Sequence, residues 1–217
     1  MVENFRNILV FALPVLFAIT LHEAAHAYAA RRLGDNTAYA QGRMTLNPLV
    51  HIDLFGTIII PIVLYLTSGF VFGYAKPVPV QFGNLRNPKR DMAWVALAGP
   101  GANLLMALMW LVFGVLLTAF GVDEEFPNKM AQAGLVTNLL IFAFNLFPLP
   151  PLDGGRVLTS MLPHRLAFKF ARIEPYGFFI LLALLYFNLL AFWVQPVMWL
   201  GAQAVKLIAS PLTFLLM

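Results

Sequence analysis

The residues best suited to do chemistry lie in one short run, His22-Glu23-Ala24-Ala25-His26. Side chains four positions apart lie on the same face of an α-helix, so both imidazoles can bind one metal ion. Glu23 then lies next to that ion, where its carboxylate can accept a proton from a water molecule. The run lies within an apolar stretch, where burying three ionisable groups without a function would be costly. The pattern predicts a metal site with an adjacent general base, in preference to two histidines held by core hydrogen bonds.

A catalytic zinc ion takes three protein ligands and keeps a fourth position for water, so one more donor is needed. The chain has no cysteine, which leaves His, Asp and Glu. Asp153 is our candidate, because it follows a proline-rich break in an apolar stretch and precedes Gly154 and Gly155, which allow close approach of the chain. The same local pattern also fits a turn or helix-cap aspartate. His51 and His164 are the remaining imidazoles. We expect a structural role for His51, with direct metal ligation or orientation of the metal site as alternatives, and a solvated position for His164.

The composition places these residues in a membrane. Of 217 residues, 60% are hydrophobic and 11% are charged, whereas average soluble domains carry about 25% charged residues. These values exclude a disordered chain and an ordinary soluble domain. The net charge is +4 without a basic cluster, so we expect the lipid bilayer as a partner and no nucleic acid.

We expect an all-α polytopic membrane protein in which residues 1–217 form a single transmembrane domain. A membrane-spanning helix needs about 20 apolar residues, and five to six hydrophobic segments approach that length. Gly56, Pro61 and Gly69 favour a re-entrant element for one of them, and an uninterrupted sixth helix stays open. A small β-element next to the active site is a further option. The apolar segments are 8–30, 54–73, 93–120, 132–150, 175–192 and 193–217.

The directions of the spans decide whether the candidate ligands can meet. If 54–73 crosses, spans 8–30 and 132–150 run in opposite directions and leave His22 and Asp153 at opposite faces. If it re-enters, both spans run the same way. This second arrangement also gives the stronger charge asymmetry, eleven cations against two instead of nine against four. The eleven are Arg31, Arg32, Arg43, Lys76, Arg86, Lys89, Arg90, Arg156, Arg165, Lys169 and Arg172.

The charge distribution therefore predicts a multi-pass protein of the cell membrane with an external N-terminus. The active site is expected near the cytoplasmic face.

Two motifs together resemble the site-2 proteases, which are intramembrane zinc metalloproteases. They are His22-Glu-Ala-Ala-His26 in an apolar helix, and Asn145 through Leu152-Asp153-Gly154. Other segments are similar to the bacterial short form without an inserted PDZ domain, up to about Leu162. These segments are Asn47-Pro48, His51-Ile-Asp53, Gly56-Thr57, Gly73-Tyr-Ala-Lys-Pro-Val-Pro79 and Ala98-Gly-Pro-Gly-Ala-Asn103.

The resemblance implies one zinc ion per chain, bound by His22, His26 and Asp153, with Glu23 as the catalytic general base. It also implies that Asn145 lines the substrate cleft. Asn103 is a second candidate for substrate binding, although after Gly99-Pro100-Gly101 it also fits close helix packing.

The implied activity is hydrolysis of peptide bonds within or next to transmembrane segments, as in regulated intramembrane proteolysis. The partners would be membrane proteins with a transmembrane helix, which must unwind and pair with Asn145 or with an edge at 42–47 or 78–82. The alternatives are a zinc-binding membrane transporter and a non-proteolytic protein that binds membrane segments. Glu23 distinguishes the protease from a zinc transporter, because a zinc carrier does not require a carboxylate after the first histidine.

Overall fold

Helices form most of the chain that the computed structural model describes, which comprises residues 2–60, 62, 63, 66 and 73–216, with side chains except those of 2–9 and 58. We number eight α-helices in this part. They are α1 Val2–Arg32, α2 Thr37–Ala40, α3 Pro88–Ala119, α4 Glu125–Asn145, α5 Asp153–Met161, α6 His164–Ala171, α7 Glu174–Tyr186 and α8 Ala191–Leu216. Two 3-10 turns, Pro48–His51 and Phe82–Asn84, and one π-helical turn, Leu54–Ile59, lie in the connections.

Three of the described helices are long and apolar enough to cross a membrane, namely α1 from Val10, α3 and α8. The expected count of five to six segments is not confirmed. Helix α7 has 13 residues, and at about 1.5 Å per residue it covers about 20 Å of a hydrocarbon core about 30 Å thick. Helix α4 has 21 residues, but polar residues such as Lys129 and Gln132 lower its hydropathy.

Helices α1, α3 and α4 pack against one another, and α8 packs on α3 and α4. The packed face of α1 consists of small side chains, because Ala18, Ala24, Ala27 and Ala30 are all buried. Small residues let membrane helices approach closely. The helix that carries the histidine motif is therefore held tightly at the centre of the bundle.

Contacts along these helices fix their relative directions. Asn103 of α3 donates to Ala18 O, and Val95 O lies against His26, so α1 and α3 run antiparallel. Helix α3 is also antiparallel to α4, because Asn103 bonds Asn138 whereas Gly114, further along α3, faces Ala131, earlier in α4. Helices α1 and α4 consequently run in the same direction, as the sequence predicts for a re-entrant 54–73.

Part of 54–73, including Pro61 and Gly69, lies outside the described residues, but the two ends of the stretch meet. The Tyr74 N–H donates to Gly56 O at 3.0 Å, and the Thr57 hydroxyl donates to Tyr74 O at 2.9 Å. Just beyond, the Lys76 N–H donates to His51 O at 2.9 Å. The chain therefore leaves and returns at one place beside the end of α1.

The small β-element allowed by the sequence is not found, since the described residues contain no strand at 42–47 or 78–82. Carboxylates occupy backbone donors that a strand would use. The Val78 N–H donates to Glu23 Oε2 at 2.8 Å, and the Gln81 N–H donates to Asp35 Oδ2 at 2.7 Å. Residues 73–82 instead form an irregular segment that ends at Phe82, the first residue of the second 3-10 turn.

Asp35 holds this segment in place and is only 1% exposed. Its carboxylate accepts hydrogen bonds from the Thr37 N–H and hydroxyl, the Gln81 N–H and the Asn84 amide. Burial raises the pKa of this carboxyl group, but the bonds from Thr37, Gln81 and Asn84 outweigh that effect, so the pKa lies below its ordinary value of 3.8. The charged form of Asp35 therefore stabilises the fold.

We expect Asp35→Asn to lower the free energy of unfolding by about 2 kcal/mol at pH 7, because charge-assisted hydrogen bonds are lost and one amide N–H2 faces other donors. A carboxyl group whose pKa is lower in the folded state stabilises above its unfolded pKa, and that contribution is lost as the pH falls through the folded pKa. The difference between wild type and variant should thus be constant near neutrality and shrink below about pH 4. Thermal unfolding in detergent from pH 7 to pH 3 measures it.

The exposed Asp123 provides the matched control, since Asp123→Asn should leave the unfolding midpoint within experimental error. A difference between wild type and Asp35→Asn that stays constant down to pH 3 would contradict the assigned role of the Asp35 charge.

Candidate metal centre

Three side chains predicted from the sequence lie together in the bundle. Nε2 of His22 and Nε2 of His26 are 3.0 Å apart, and they lie 3.2 and 3.3 Å from Asp153 Oδ2. The three residues are 6%, 6% and 4% exposed. Helix α1 supplies both imidazoles one turn apart, and the first residue of α5 supplies the carboxylate.

Two glycines make this convergence possible. A Cβ atom on Gly99 of α3 would lie 2.6 Å from His22 Cε1 and would also collide with His26 Nε2. A Cβ atom on Gly154 would collide with the carbonyl groups of Leu146 and Phe147. Glycine at these positions lets α3 approach the rings and lets α5 start directly against the end of α4.

Each imidazole is held by its other ring nitrogen. His26 Nδ1 donates to Val95 O at 2.7 Å, and His22 Nδ1 donates to Asn103 Oδ1 at 2.6 Å. A carbonyl oxygen only accepts, so the Nδ1 atoms carry the protons and the Nε2 lone pairs point at Asp153. Outer partners of this kind commonly orient metal-binding histidines.

The donor set fits a zinc ion. Zinc bonds of about 2.0–2.1 Å in a tetrahedral arrangement place ligand atoms about 3.3 Å apart, close to the separations of these three atoms. Asp153 Oδ2 is buried and has no hydrogen-bond partner among the described residues. Such a group is costly to bury unless a cation balances it, and the same three residues are a possible metal-binding group in the described part of the chain.

A cleft of about 570 Å³ opens beside the three side chains. Glu23 lines it, half-buried, with its Oε2 accepting the Val78 N–H. Asn145 also lines the cleft, and its amide donates back to Ile141 O at 3.0 Å. Most of the remaining lining is apolar, and it includes Ile19, Ile60, Val80, Phe144, Phe178 and Leu181.

The other candidates lie elsewhere. Asn103, predicted as a substrate contact, is 0% exposed and lies behind His22, outside the cleft lining. His51 is buried away from the metal group, with Nε2 donating to Thr45 O at 3.0 Å. His164 begins α6 in an exposed position. Sequence reasoning missed Asn138, also 0% exposed, which donates to Gly134 O and accepts from Asn103; its signal was a lone amide in an apolar stretch.

Comparison with known proteins agrees with this chemistry. The model of peptidase family M50 matches residues 126–188. YwhC of Bacillus subtilis, which carries a zinc metalloprotease name, is 38% identical over 198 residues, covering 89% of this chain and 87% of its own length. No solved structure gives a match.

Two mycobacterial proteins with zinc metalloprotease names are more distant. Rip2 of Mycolicibacterium smegmatis is 31% identical over 78% of this chain, and Rip3 of Mycobacterium tuberculosis is 30% identical over 71%. The matches span 64% of Rip2 and 31% of Rip3, so these relatives contain sequence beyond the shared part. The shared part and the near full-length match to YwhC lead to one conclusion: the chain belongs to peptidase family M50, the site-2 proteases, and is a zinc metallopeptidase with membrane helices.

Proposed function

We propose that this protein hydrolyses peptide bonds within or next to the transmembrane segments of membrane-protein substrates, in regulated intramembrane proteolysis. One observation carries the proposal. The buried group of His22, His26 and Asp153 lies beside Glu23 at a largely apolar cleft, in a bundle whose long helices are apolar enough to span a membrane. An active site at that depth meets protein substrates mainly as membrane-embedded segments.

In this proposal His22, His26 and Asp153 hold one zinc ion through Nε2, Nε2 and Oδ2. When bound, zinc supplies Lewis acidity to the attacking water and to the scissile carbonyl. The Asp153 carboxylate would offset part of the cationic charge. The two imidazoles are neutral, and each keeps its Nε2 lone pair for the ion because its proton is on Nδ1, bonded to Asn103 Oδ1 or Val95 O. The three side chains leave the side that faces the cleft for water and substrate.

Glu23 acts as the general base. The Val78 N–H donates to Oε2 at 2.8 Å, which favours an orientation of the carboxylate towards the cleft. Its other oxygen is available to take the proton of the attacking water and to return it to the leaving amine. The water oxygen bonds to the scissile carbonyl carbon, the C–N bond breaks, and one proton passes from water through Glu23 to the leaving nitrogen, so the carboxylate ends as it began.

The substrate segment is expected to bind as an unwound strand, since a helix hides its carbonyl groups in its own hydrogen bonds. Asn145 lines the cleft with one amide N–H already committed to Ile141 O, which leaves its carbonyl oxygen to accept a substrate N–H. In segment 73–82 the alternating residues Tyr74, Lys76 and Val78 bond the protein through their N–H groups. On the opposite edge Ala75 offers an N–H and a carbonyl group to the substrate backbone. Pro77 and Pro79 have no N–H and can only accept, and Pro77 O already faces the Arg43 guanidinium.

We further propose that the N-terminus is external and that the site lies near the cytoplasmic face of the cell membrane. Helices α1 and α4 run the same way, and the ends of 54–73 meet at Gly56 and Tyr74. These two features support an arrangement in which the eleven cations named above lie on one side of the membrane, and the positive-inside rule assigns that side to the cytoplasm.

Glu23→Gln keeps the size of the side chain and an acceptor for the Val78 N–H but removes the base. We expect cleavage to fall at least about 100-fold while one zinc ion per chain is retained. The assay is the purified protein in lipid vesicles with a tagged substrate that has one transmembrane helix, with cleavage sites mapped by mass spectrometry and zinc measured in the same samples.

The control is Glu124→Gln, which lies at the opposite end of α4 from Asn145. This variant should cleave the substrate at the wild-type rate. If Glu23→Gln cleaves the substrate as fast as wild type, Glu23 is not the general base. Cuts by the wild type that fall only in the soluble part of the substrate would instead overturn the intramembrane proposal.

Asp153→Asn tests the ligand set. Replacing the carboxylate by a neutral amide removes the charge that balances the ion, so we expect the zinc content after dialysis against a mild chelator to drop from one per chain to near zero. Asp91 offers a matched control, because it is also 4% exposed and its carboxylate accepts the Asn87 N–H on α3. Asp91→Asn should keep its zinc, and full zinc occupancy in Asp153→Asn would exclude Asp153 as a ligand.

Orientation can be measured with single cysteines, because the natural chain has none. Asp123→Cys, in the α3–α4 loop, should react with a membrane-impermeant thiol reagent in intact cells. Arg165→Cys, in α6, should react only after the membrane is permeabilised. The reverse pattern would place the site at the external face.

A further inference from the structure

Two buried asparagines form a chain of hydrogen bonds that ends at the metal centre. Asn103 of α3 and Asn138 of α4 are both 0% exposed. The Asn138 amide donates to Gly134 O at 2.9 Å, and its Oδ1 accepts from the Asn103 amide at 3.0 Å. The Asn103 amide also donates to Ala18 O at 3.2 Å, and its Oδ1 faces His22 Nδ1 at 2.6 Å.

The donors and acceptors in this series of hydrogen bonds can be arranged in only one way. The carbonyl groups of Gly134 and Ala18 can only accept, so each asparagine must turn its N–H2 group towards them. Asn138 then presents only its oxygen to Asn103, and Asn103 presents only its oxygen to His22. His22 Nδ1 must therefore be the protonated nitrogen, and Nε2 keeps its lone pair.

His26 reaches the same state by a simpler route, because its Nδ1 donates directly to the main-chain carbonyl of Val95. A main-chain carbonyl within a helix is fixed in place and cannot donate. The partner of His22 is a side-chain amide, which could rotate by half a turn and offer N–H instead of oxygen. Asn138 and Ala18 O prevent that rotation.

We propose that Asn103, locked by Asn138, is a positioning residue that holds His22 in the Nδ1–H tautomer, and that this relay sets the zinc affinity of the site. The inference rests on the proposed ligand set. In this proposal Asn103 orients the ligand His22 instead of contacting substrate. Asn138, which is far from His22 in the sequence, acts on His22 through Asn103.

A role in packing alone is the competing explanation. Buried amides stabilise a bundle when they are paired, and losing one can cost about 1–3 kcal/mol. Stability alone therefore cannot identify the relay. The informative quantities are the zinc dissociation constant and the tautomer of His22, which a purely structural loss would not change in a correlated way.

The experiment compares Asn103→Leu, Asn103→Asp and Asn138→Leu with wild type, all as the full chain in detergent. Zinc affinity is measured by competition with a chelator. The zinc-free protein is labelled with 15N-histidine, and ring-nitrogen shifts report the tautomers at pH 8. With four histidines per chain the spectrum can be assigned by single substitutions. Met106→Ala is the matched control, because it removes a buried side chain of α3 outside the relay.

We expect Asn103→Leu to weaken zinc binding about 10- to 100-fold and to shift the His22 proton towards Nε2. Asn103→Asp still accepts from Nδ1, so it should keep the tautomer and bind zinc within a few-fold of wild type, although it loses thermal stability. Asn138→Leu should give an intermediate loss, since Ala18 O still holds Asn103. Met106→Ala should lose stability without a change in zinc affinity.

The relay is overturned if Asn103→Leu binds zinc like wild type, or if Asn103→Asp and Asn103→Leu lose affinity equally. Should Asn103→Leu not fold, the comparison of Asn138→Leu with Met106→Ala decides, because a packing role predicts that neither changes the affinity. His22→Ala separates failure of the relay from failure of the proposed ligand set. If His22→Ala keeps full zinc affinity, the ligand assignment itself is wrong.

Discussion

The structure depends on the requirement that ionisable groups buried in an apolar bundle have a partner for every polar atom. An unpaired buried polar group costs about 1–3 kcal/mol, and a buried charge costs more. His22 and His26 meet this requirement at Nδ1 through Asn103 and Val95 O. Their Nε2 atoms and Asp153 Oδ2 face one another without a proton to share, so only a cation completes the arrangement. Among the described residues, the buried side-chain atoms without a hydrogen-bond partner are Asp153 Oδ2, Arg43 Nε and His51 Nδ1. Asp153 Oδ2 is the one of the three that faces both Nε2 atoms.

One helix serves two sides of the active site because consecutive residues of an α-helix point about 100° apart. On α1, His22 and His26 turn towards Asp153, while Glu23 turns towards segment 73–82 and receives the Val78 N–H. That segment must therefore be placed as accurately as the helices are. Its position is set by hydrogen bonds to the main-chain carbonyls of Gly56 and His51 and to the Asp35 carboxylate, so residues outside the metal-binding group determine where the general base points.

The sequence predicted the features that are local or statistical. The two histidines and Glu23 follow from helical spacing, and the shared direction of α1 and α4 follows from the charge distribution. The position of Asn103 could not be derived in this way, because it depends on how α3 is rotated against α1. Asn138 was missed for the same reason. The number of spans is not confirmed. Hydropathy shows that a stretch is apolar, but it does not show that the helix within 175–192 has only 13 residues.

The meeting of Gly56 and Tyr74 explains why the centre can assemble at all. Two ligands come from α1 and one from the residue that follows the loop after α4, so these helix ends must lie at the same depth. Helix α3 runs antiparallel to both and supplies the turn in direction between them. If the stretch between α1 and α3 made a single crossing, α1 and α3 would enter from the same side and run parallel, and Asn103 could not face Ala18 while Val95 faces His26. Closure of that stretch at its two ends is therefore a precondition of the metal site, whatever path the chain takes between them.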